Sequence, residues 1–178
     1  IMIISKTPLR ISFIGGGTDH LINENSYGSV IATSINKFIY LSLIHNHEKK
    51  FLINYSLREK VDEVRQIRHS IVRETLKHFK ITSPIEIHVA ADITSRGSGL
   101  GSSGTFSVGL INLLAKYRKI NLTKKEFAEI AYYLETRKCK NISGKQDQYQ
   151  SAFGGFNQIF FYPDGSVKVK RLKIKTDR

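Results

Sequence analysis

The sequence predicts an α+β fold, a mixed sheet with helices packed on it. Three observations lead there. Seven short runs alternate apolar with polar residues or are rich in β-branched ones, three other stretches space their apolar residues for a helix, and one of those carries a complete helix-start signal. At 178 residues and 40% hydrophobic content the chain can bury one core, and no break in composition divides it. A single domain over residues 1–178 is therefore expected.

Along the chain, strands are predicted at Ile3–Ile14, Ser29–Ile35, Phe38–His45 and Lys50–Tyr55. A first helix is predicted over Glu59–Phe79, where Val61, Val64, Ile67, Ile71, Leu76 and Phe79 recur at helical spacing between charges. A strand follows at Ile85–Ala91. The second helix begins inside "TSRGSGLGSSGTFSVGL", Thr94 to Leu110: Phe106, Leu110, Leu113, Leu114 and Tyr117 share one side, while Val108 and Ile111 fall elsewhere. Apolar nearly all round, it should be buried. The third starts at Lys124, because Thr123 is a good N-cap, Glu126 completes a capping box and Leu122 can staple onto Phe127. It should run to about Arg137 and bury Phe127, Ile130, Ala131 and Leu134. Two last strands, Asn157–Tyr162 and Val167–Ile174, form a hairpin around Pro163, Asp164 and Gly165.

The 28 basic against 15 acidic residues give a formal charge of +13, which points to an anionic partner such as a nucleotide, a phosphorylated metabolite, nucleic acid or acidic lipid. Part of the excess lies in "VKVKRLKIKTDR", which reads as a half-exposed strand with a lysine-rich solvated face. No base-stacking aromatics interleave with those lysines, so nucleic acid is not the expected partner. A single cysteine, Cys139, excludes an internal disulfide framework and, with basic neighbours just past a helix end, reads as inert. The first residues lack the basic, apolar, small order of a signal peptide, and no apolar run approaches the roughly 20 residues that cross a bilayer. A cytoplasmic protein without a membrane partner is expected. The histidines show no metal-ligand spacing apart from His45 and His47 beside Glu48.

The glycine-serine stretch needs a reason, since each glycine costs roughly 0.5–1 kcal/mol against alanine in regular structure. It contains GxGxxG from Gly99 to Gly104, yet seven residues separate it from the preceding strand and no acidic strand end follows about 20 residues on, as a dinucleotide fold requires. A Walker lysine is missing, and so are the partner motifs of a protein kinase. What remains is physical: a glycine-rich loop feeding a helix offers bare backbone N–H groups and the positive end of the helix dipole, a phosphate site. Ser102 and Ser103 add hydroxyls that can meet a phosphate oxygen or a magnesium ion.

Three segments in order, "TPLRISFIGGGTD" at Thr7–Asp19, "SRGSGLGSSGTF" at Ser95–Phe106 and "SGKQDQYQSAFGGFN" at Ser143–Asn157, resemble the motifs of the GHMP kinases, named for galactokinase, homoserine kinase, mevalonate kinase and phosphomevalonate kinase. The triple glycine and the "GKQDQY" run look most like the sugar kinases of the D-glycero-D-manno-heptose 7-phosphate branch. Two positions depart from the family pattern: Ser95 stands where proline is usual and Gly104 where alanine is common. The resemblance implies the GHMP N-terminal domain, a βαβ fold like that of some ribosomal proteins, as part of a longer chain with Met2 as its start and a C-terminal ferredoxin-like domain beyond Arg178.

It also implies roles. ATP phosphates would lie on Gly97, Ser98, Gly99, Leu100, Gly101, Ser102 and Ser103, with Ser103 and Glu135 holding Mg²⁺. Asp147 would take the proton of the acceptor hydroxyl, with Arg10 stabilising its anion. A sugar phosphate would be gripped by Gly15, Gly16, Gly17, Thr18 and Asp19. Two rival readings stay open at this stage, a GHMP kinase for another sugar such as fucose or a hexose, and a basic RNA-binding module.

Overall fold

The computed structural model describes residues 2–20, 26–46, 48–93 and 98–173. Seven strands make one mixed sheet in the order β4-β3-β5-β2-β6-β7, with β1 on the other edge of β2. They are β1 (Met2–Ile14), β2 (Gly28–His45), β3 (Phe51–Asn54), β4 (Arg58–Val61), β5 (Ile85–Ala91), β6 (Phe156–Phe161) and β7 (Val167–Arg171). All neighbours are antiparallel except β3 and β5. Four α-helices are described: α1 (Ser70–His78), α2 (Ser102–Tyr117), α3 (Lys124–Tyr133) and α4 (Gln146–Phe153). The α+β expectation holds, and the predicted end of β7 at Ile174 lies outside the described residues.

Where two strands were expected between Ser29 and His45, there is one strand of 18 residues. Pro8 pairs with Phe38 but Arg10 with Ser34, so β2 spends four residues where β1 spends two. This irregularity reverses the facing of side chains: Val30 and Ala32 are buried before it, Ile39, Leu41 and Leu43 after it. A change of phase reads as a gap in a period-2 pattern, which is why the sequence suggested a break. At the same irregularity β1 buries two consecutive residues, Leu9 and Arg10, which breaks its preceding alternation of buried and less buried positions. Pro8, with no N–H for the ladder, stands at that point.

The helix expected over Glu59–Phe79 is corrected to three elements. Arg58–Val61 is β4, Val64–Gln66 is a single 3-10 turn, and only Ser70–His78 is α1. The carboxylate of Glu59 explains the break. Buried at the end of Tyr55's side chain, it accepts from the Arg68 and His69 backbone N–H groups at 2.6 and 3.1 Å and from the Tyr55 hydroxyl at 2.8 Å, which anchors the chain just ahead of α1. These bonds outweigh burial and hold the Glu59 carboxyl below its ordinary range.

α2 is buried nearly all round as expected, with Leu110, Ile111, Leu113 and Leu114 inside the main apolar cluster. It lies close on the sheet, where Gly109 faces Thr7 and Leu41. The capping box of α3 forms as written: Thr123 Oγ1 accepts from Glu126 N at 3.2 Å while the Glu126 carboxylate accepts from Thr123 N at 2.7 Å. Phe127 and Ile130 are only partly buried, and Ala128 with Ala131 makes the tighter contact. After Tyr133 the helix widens into a π turn, Leu134–Lys138. α4 was not anticipated at all, because its polar first turn hides the period.

Three helical segments end on lysines in the left-handed region: Lys80 (φ 51), Lys119 (φ 57) and Lys140 (φ 61). Glycine is the usual residue there. The closing bonds Ile81 N to Leu76 O (2.9 Å) and Ile120 N to Ala115 O (2.8 Å) are nevertheless made. A left-handed non-glycine residue costs roughly 1–2 kcal/mol, and glycine returns part of that through a freer unfolded chain. Lys80→Gly and Lys119→Gly should each stabilise the fold by about 0.5–1 kcal/mol, read as a higher urea midpoint at unchanged slope.

Candidate active site

Arg10 is the centre of the site. Its Nε donates to Asp147 Oδ1 at 2.7 Å, its Nη2 lies 2.5 Å from the same oxygen as an ion pair, and its Nη1 donates to the Gly99 carbonyl at 2.6 Å. Its backbone N donates to Leu100 O at 3.2 Å. One side chain thereby joins β1, the glycine-rich loop and the first turn of α4. The irregularity at Pro8 to Arg10 is what turns the guanidinium inward.

The loop enters α2 through Gly101, the N-cap, at φ 72. A Cβ there would lie 3.1 Å from Arg10 Cγ and Nε and from Asp147 Cγ, so the loop backbone rests directly on the ion pair. Ser98 and Ser102 share a hydrogen bond at 3.3 Å, which folds the loop over the helix start. Gly97 lies outside the described residues. The N–H groups of the first turn of α2 have no intrahelical partner by construction, so this end of the helix offers free donors of the kind an anion takes.

Asp147 sits with neither Arg10 bond on its Oδ2. Burial raises its carboxyl above the ordinary range; Arg10 pulls the other way and Asp19 pushes it further up. Asp19 comes from a short 3-10 turn, Thr18–His20. Its Oδ2 accepts from Gln146 N at 2.9 Å, which seats a carboxylate on the first turn of α4. Its Oδ1 is buried and has no partner among the described residues. The neighbouring His20 Nε2 accepts from Gly144 N at 3.0 Å.

Two other residues of the expected sugar grip hold the turn itself. Thr18 is occupied: its hydroxyl donates to Gly15 O at 2.8 Å and accepts from Ser29 N at 3.1 Å, so it fastens the turn to β2. Gly15 (φ 80) serves the same closure, because a Cβ would fall 1.9 Å from Ser29 O. Gly16 and Gly17 face no such obstacle. Asp19 Oδ1 is the buried carboxylate oxygen of this segment that has no partner among the described residues.

Glu135 is the residue that the resemblance pairs with Ser103 as a holder of Mg²⁺. The π turn carries it inward to 1% exposure. Ser103 Oγ donates to its Oε1 at 2.8 Å and Ser107 Oγ at 2.7 Å, while the Gln148 amide donates to Oε2. Gln148 follows Asp147 directly, so α4 touches both carboxylate clusters at once. A recess of about 210 Å³ is lined by Asp19, Ser103, Glu135 and Asp147 together, with His20 and the exposed Ile142 at its margin. Sequence reasoning passed over His20, Gln146 and Gln148; their position beside motif residues was the available signal. Cys139 stands apart, its thiol pushed up by burial and so kept protonated.

Comparison with known proteins shows the family. The family model for the GHMP kinases N terminal domain matches residues 66–155. The D-glycero-alpha-D-manno-heptose 7-phosphate kinase of Campylobacter jejuni is 33% identical over 96% of this chain and 54% of its own length. The galactokinase of Thermotoga petrophila is 26% identical over 97% of this chain and 49% of its own. The crystal structure of a D-glycero-D-manno-heptose 1-phosphate kinase from Bacteriodes thetaiotaomicron superposes with a TM-score of 0.86 at 26% identity, covering 98% of this chain and 61% of that one. The chain spans about half the length of the curated relatives it matches. Three motifs meeting at one recess, and a family model covering the segment that holds two of them, make this chain a member of the GHMP kinases.

Proposed function

We propose that the full-length protein is an ATP-dependent sugar kinase, and that this chain is its N-terminal domain, completed by a C-terminal ferredoxin-like domain. The acceptor we propose is D-glycero-D-manno-heptose 7-phosphate, phosphorylated at its anomeric hydroxyl in nucleotide-heptose synthesis. The observation that carries the kinase reading is the Arg10–Asp147 pair wedged between a phosphate-type loop and the Asp19 carboxylate. The heptose reading rests on the 33% identical relative.

In this reading the acceptor oxygen attacks the γ-phosphorus of ATP, its proton passes to Asp147 Oδ2, and the bond to the β,γ-bridging oxygen breaks to release ADP. Asp19 Oδ1 accepts from another acceptor hydroxyl and fixes the ring. Arg10 keeps Asp147 ionised and holds the loop at Gly99. Ser103 Oγ and Glu135 Oε1 stand 2.8 Å apart. Adjacent ligands of octahedral Mg²⁺, at about 2.0–2.1 Å from the ion, are separated by nearly that distance, so the pair fits one edge of its shell. Bound there, Mg²⁺ would neutralise phosphate charge.

The test is a panel of sugars with ATP and the full-length protein, the product read by phosphorus NMR. An anomeric phosphate on the heptose 7-phosphate is expected; preference for galactose or another hexose would move the acceptor to a different branch, and no ADP with any sugar would end the kinase reading. A pH profile adds an independent check. Asp147 must be the anion to accept a proton, so kcat/KM should rise with pH through a limb lying above the ordinary aspartate value. Arg10 favours the anion, so Arg10→Met should move that limb to higher pH. A limb that stays in place would dissociate Arg10 from the carboxylate.

A further inference from the structure

Glycine is a poor residue inside a helix, because it gives up the most backbone freedom on folding. α2 holds two, Gly104 and Gly109, both buried. Neither has a positive φ, so neither is there to make a turn. Close approach of a neighbour is the remaining reason, and the two glycines face different neighbours.

A Cβ on Gly109 would lie 2.7 Å from Thr7 Oγ1 and 2.8 Å from Leu41 Cδ1, the ends of side chains on the sheet. A Cβ on Gly104 would lie 2.7 Å from Asp147 Cβ, 3.1 Å from Gln148 N and 3.2 Å from the Asp147 carbonyl carbon. Two of these three atoms are backbone, which cannot swing aside as a side-chain end can. Gly104 is also one of the two positions at which the chain departs from the motif it resembles.

Gly101, one turn earlier, faces Arg10 and the carboxyl carbon of the same Asp147. The two bare Cα atoms thus form a bed, Gly101 beneath the carboxylate and Gly104 beneath its backbone. The first turn of α4 is fastened around that bed. Gln146 N donates to Asp19 Oδ2 at 2.9 Å, the Gln148 amide donates to Glu135 and, at 3.1 Å, to Ser143 Oγ, and Thr105 shares a 2.8 Å hydrogen bond with Ser151 one turn along α4. A carbon added at Gly104 therefore lifts Asp147 off the loop instead of finding room beside it.

We infer that Gly104 is a positioning residue, whose missing side chain sets the depth at which Asp147 seats between Arg10 and the phosphate-type loop. The inference rests on the proposed kinase reading and deepens it.

The test places alanine at each of the two glycines in the full-length protein, assayed with ATP and the heptose 7-phosphate. Alanine is the better helix former and carries no charge, so a loss comes from crowding alone. To reach ordinary contact at 3.4 Å, Asp147 Cβ has to retreat by several tenths of an ångström, where a misplacement of about 1 Å costs roughly 10²-fold. Gly104→Ala should accordingly lower kcat by about tenfold and leave the KM for ATP and for the acceptor within about twofold. Gly109→Ala, equally crowded but against the sheet, should lower the urea midpoint and leave kcat unchanged. An unchanged kcat in Gly104→Ala would overturn the inference, as would the same loss of kcat in Gly109→Ala or a rise in either KM that accounts for the loss in kcat/KM. Failure of Gly104→Ala to fold would make the residue one of packing and overturn the inference too. Failure of the kinase reading looks different: the unaltered protein would then release no ADP.

Discussion

Asp147→Asn in the full-length protein should leave ATP and acceptor bound while turnover falls by roughly 10²–10⁴, the usual range for a positioned base. Asparagine keeps the shape and can still face Arg10, but it has no charge with which to take the proton. The structure adds a condition. Because Arg10 also holds the Gly99 carbonyl, Arg10→Ala should damage the loop as well as the base and so raise the KM for ATP. Added to the asparagine variant, Arg10→Ala should then cost less in turnover than it does alone, by the share that acted through Asp147. Near-normal turnover in Asp147→Asn would end the assignment of the base, and full additivity would end the coupling. A structural aspartate would instead show itself in the melting curve.

Gly101→Val should be the most damaging single change in the loop. The residue lies at φ 72, where a β-branched side chain is a genuine outlier, and the left-handed conformation alone costs roughly 1–2 kcal/mol. The added carbon meets Arg10 and Asp147 at 3.1 Å, tight enough that the pair has to move. Nucleotide binding and turnover should therefore both collapse, whereas Ser103→Ala in the first turn of α2 should mainly weaken the dependence on Mg²⁺. Wild-type affinity for ATP in the valine variant, measured by calorimetry, would show that the loop does not carry the phosphates.

Sequence alone read the elements with strong local grammar. The α3 start was legible because Thr123 and Glu126 satisfy each other within four residues, and β5 because its alternation has no interruption. α1 was overextended because Val61 and Val64, half-buried, and Ile67, buried, pack for reasons that belong to β4 and a turn, and the carboxylate of Glu59 that divides them acts across ten residues. The site followed the same rule. Motifs named Arg10, Asp19, Ser103 and Asp147, yet the partners that orient them come from far along the chain: Gln146 for Asp19, Gln148 for Glu135, the Gly99 carbonyl for Arg10. Nor could spacing reveal that Thr18 and Gly15 are consumed by β2, since that closure depends on where Ser29 arrives.

The divided strand β2 makes the sheet a fork. Its C-terminal half holds β5 and, beyond it, β3 and β4 over the larger apolar cluster; its N-terminal half holds β6 and β7 over a smaller one built on Val30, Ala32, Ile159, Phe161 and Tyr149 of α4. Parts of a protein open with free energies set by the apolar surface they bury locally. The thinner prong should therefore be the first to loosen, and Tyr149 ties α4 to it. Arg10 lies on β1 opposite the point where the prongs diverge. The Arg10–Asp147 pair thus bridges the fork, and in the proposed kinase heat should abolish turnover while most of the secondary structure is still standing.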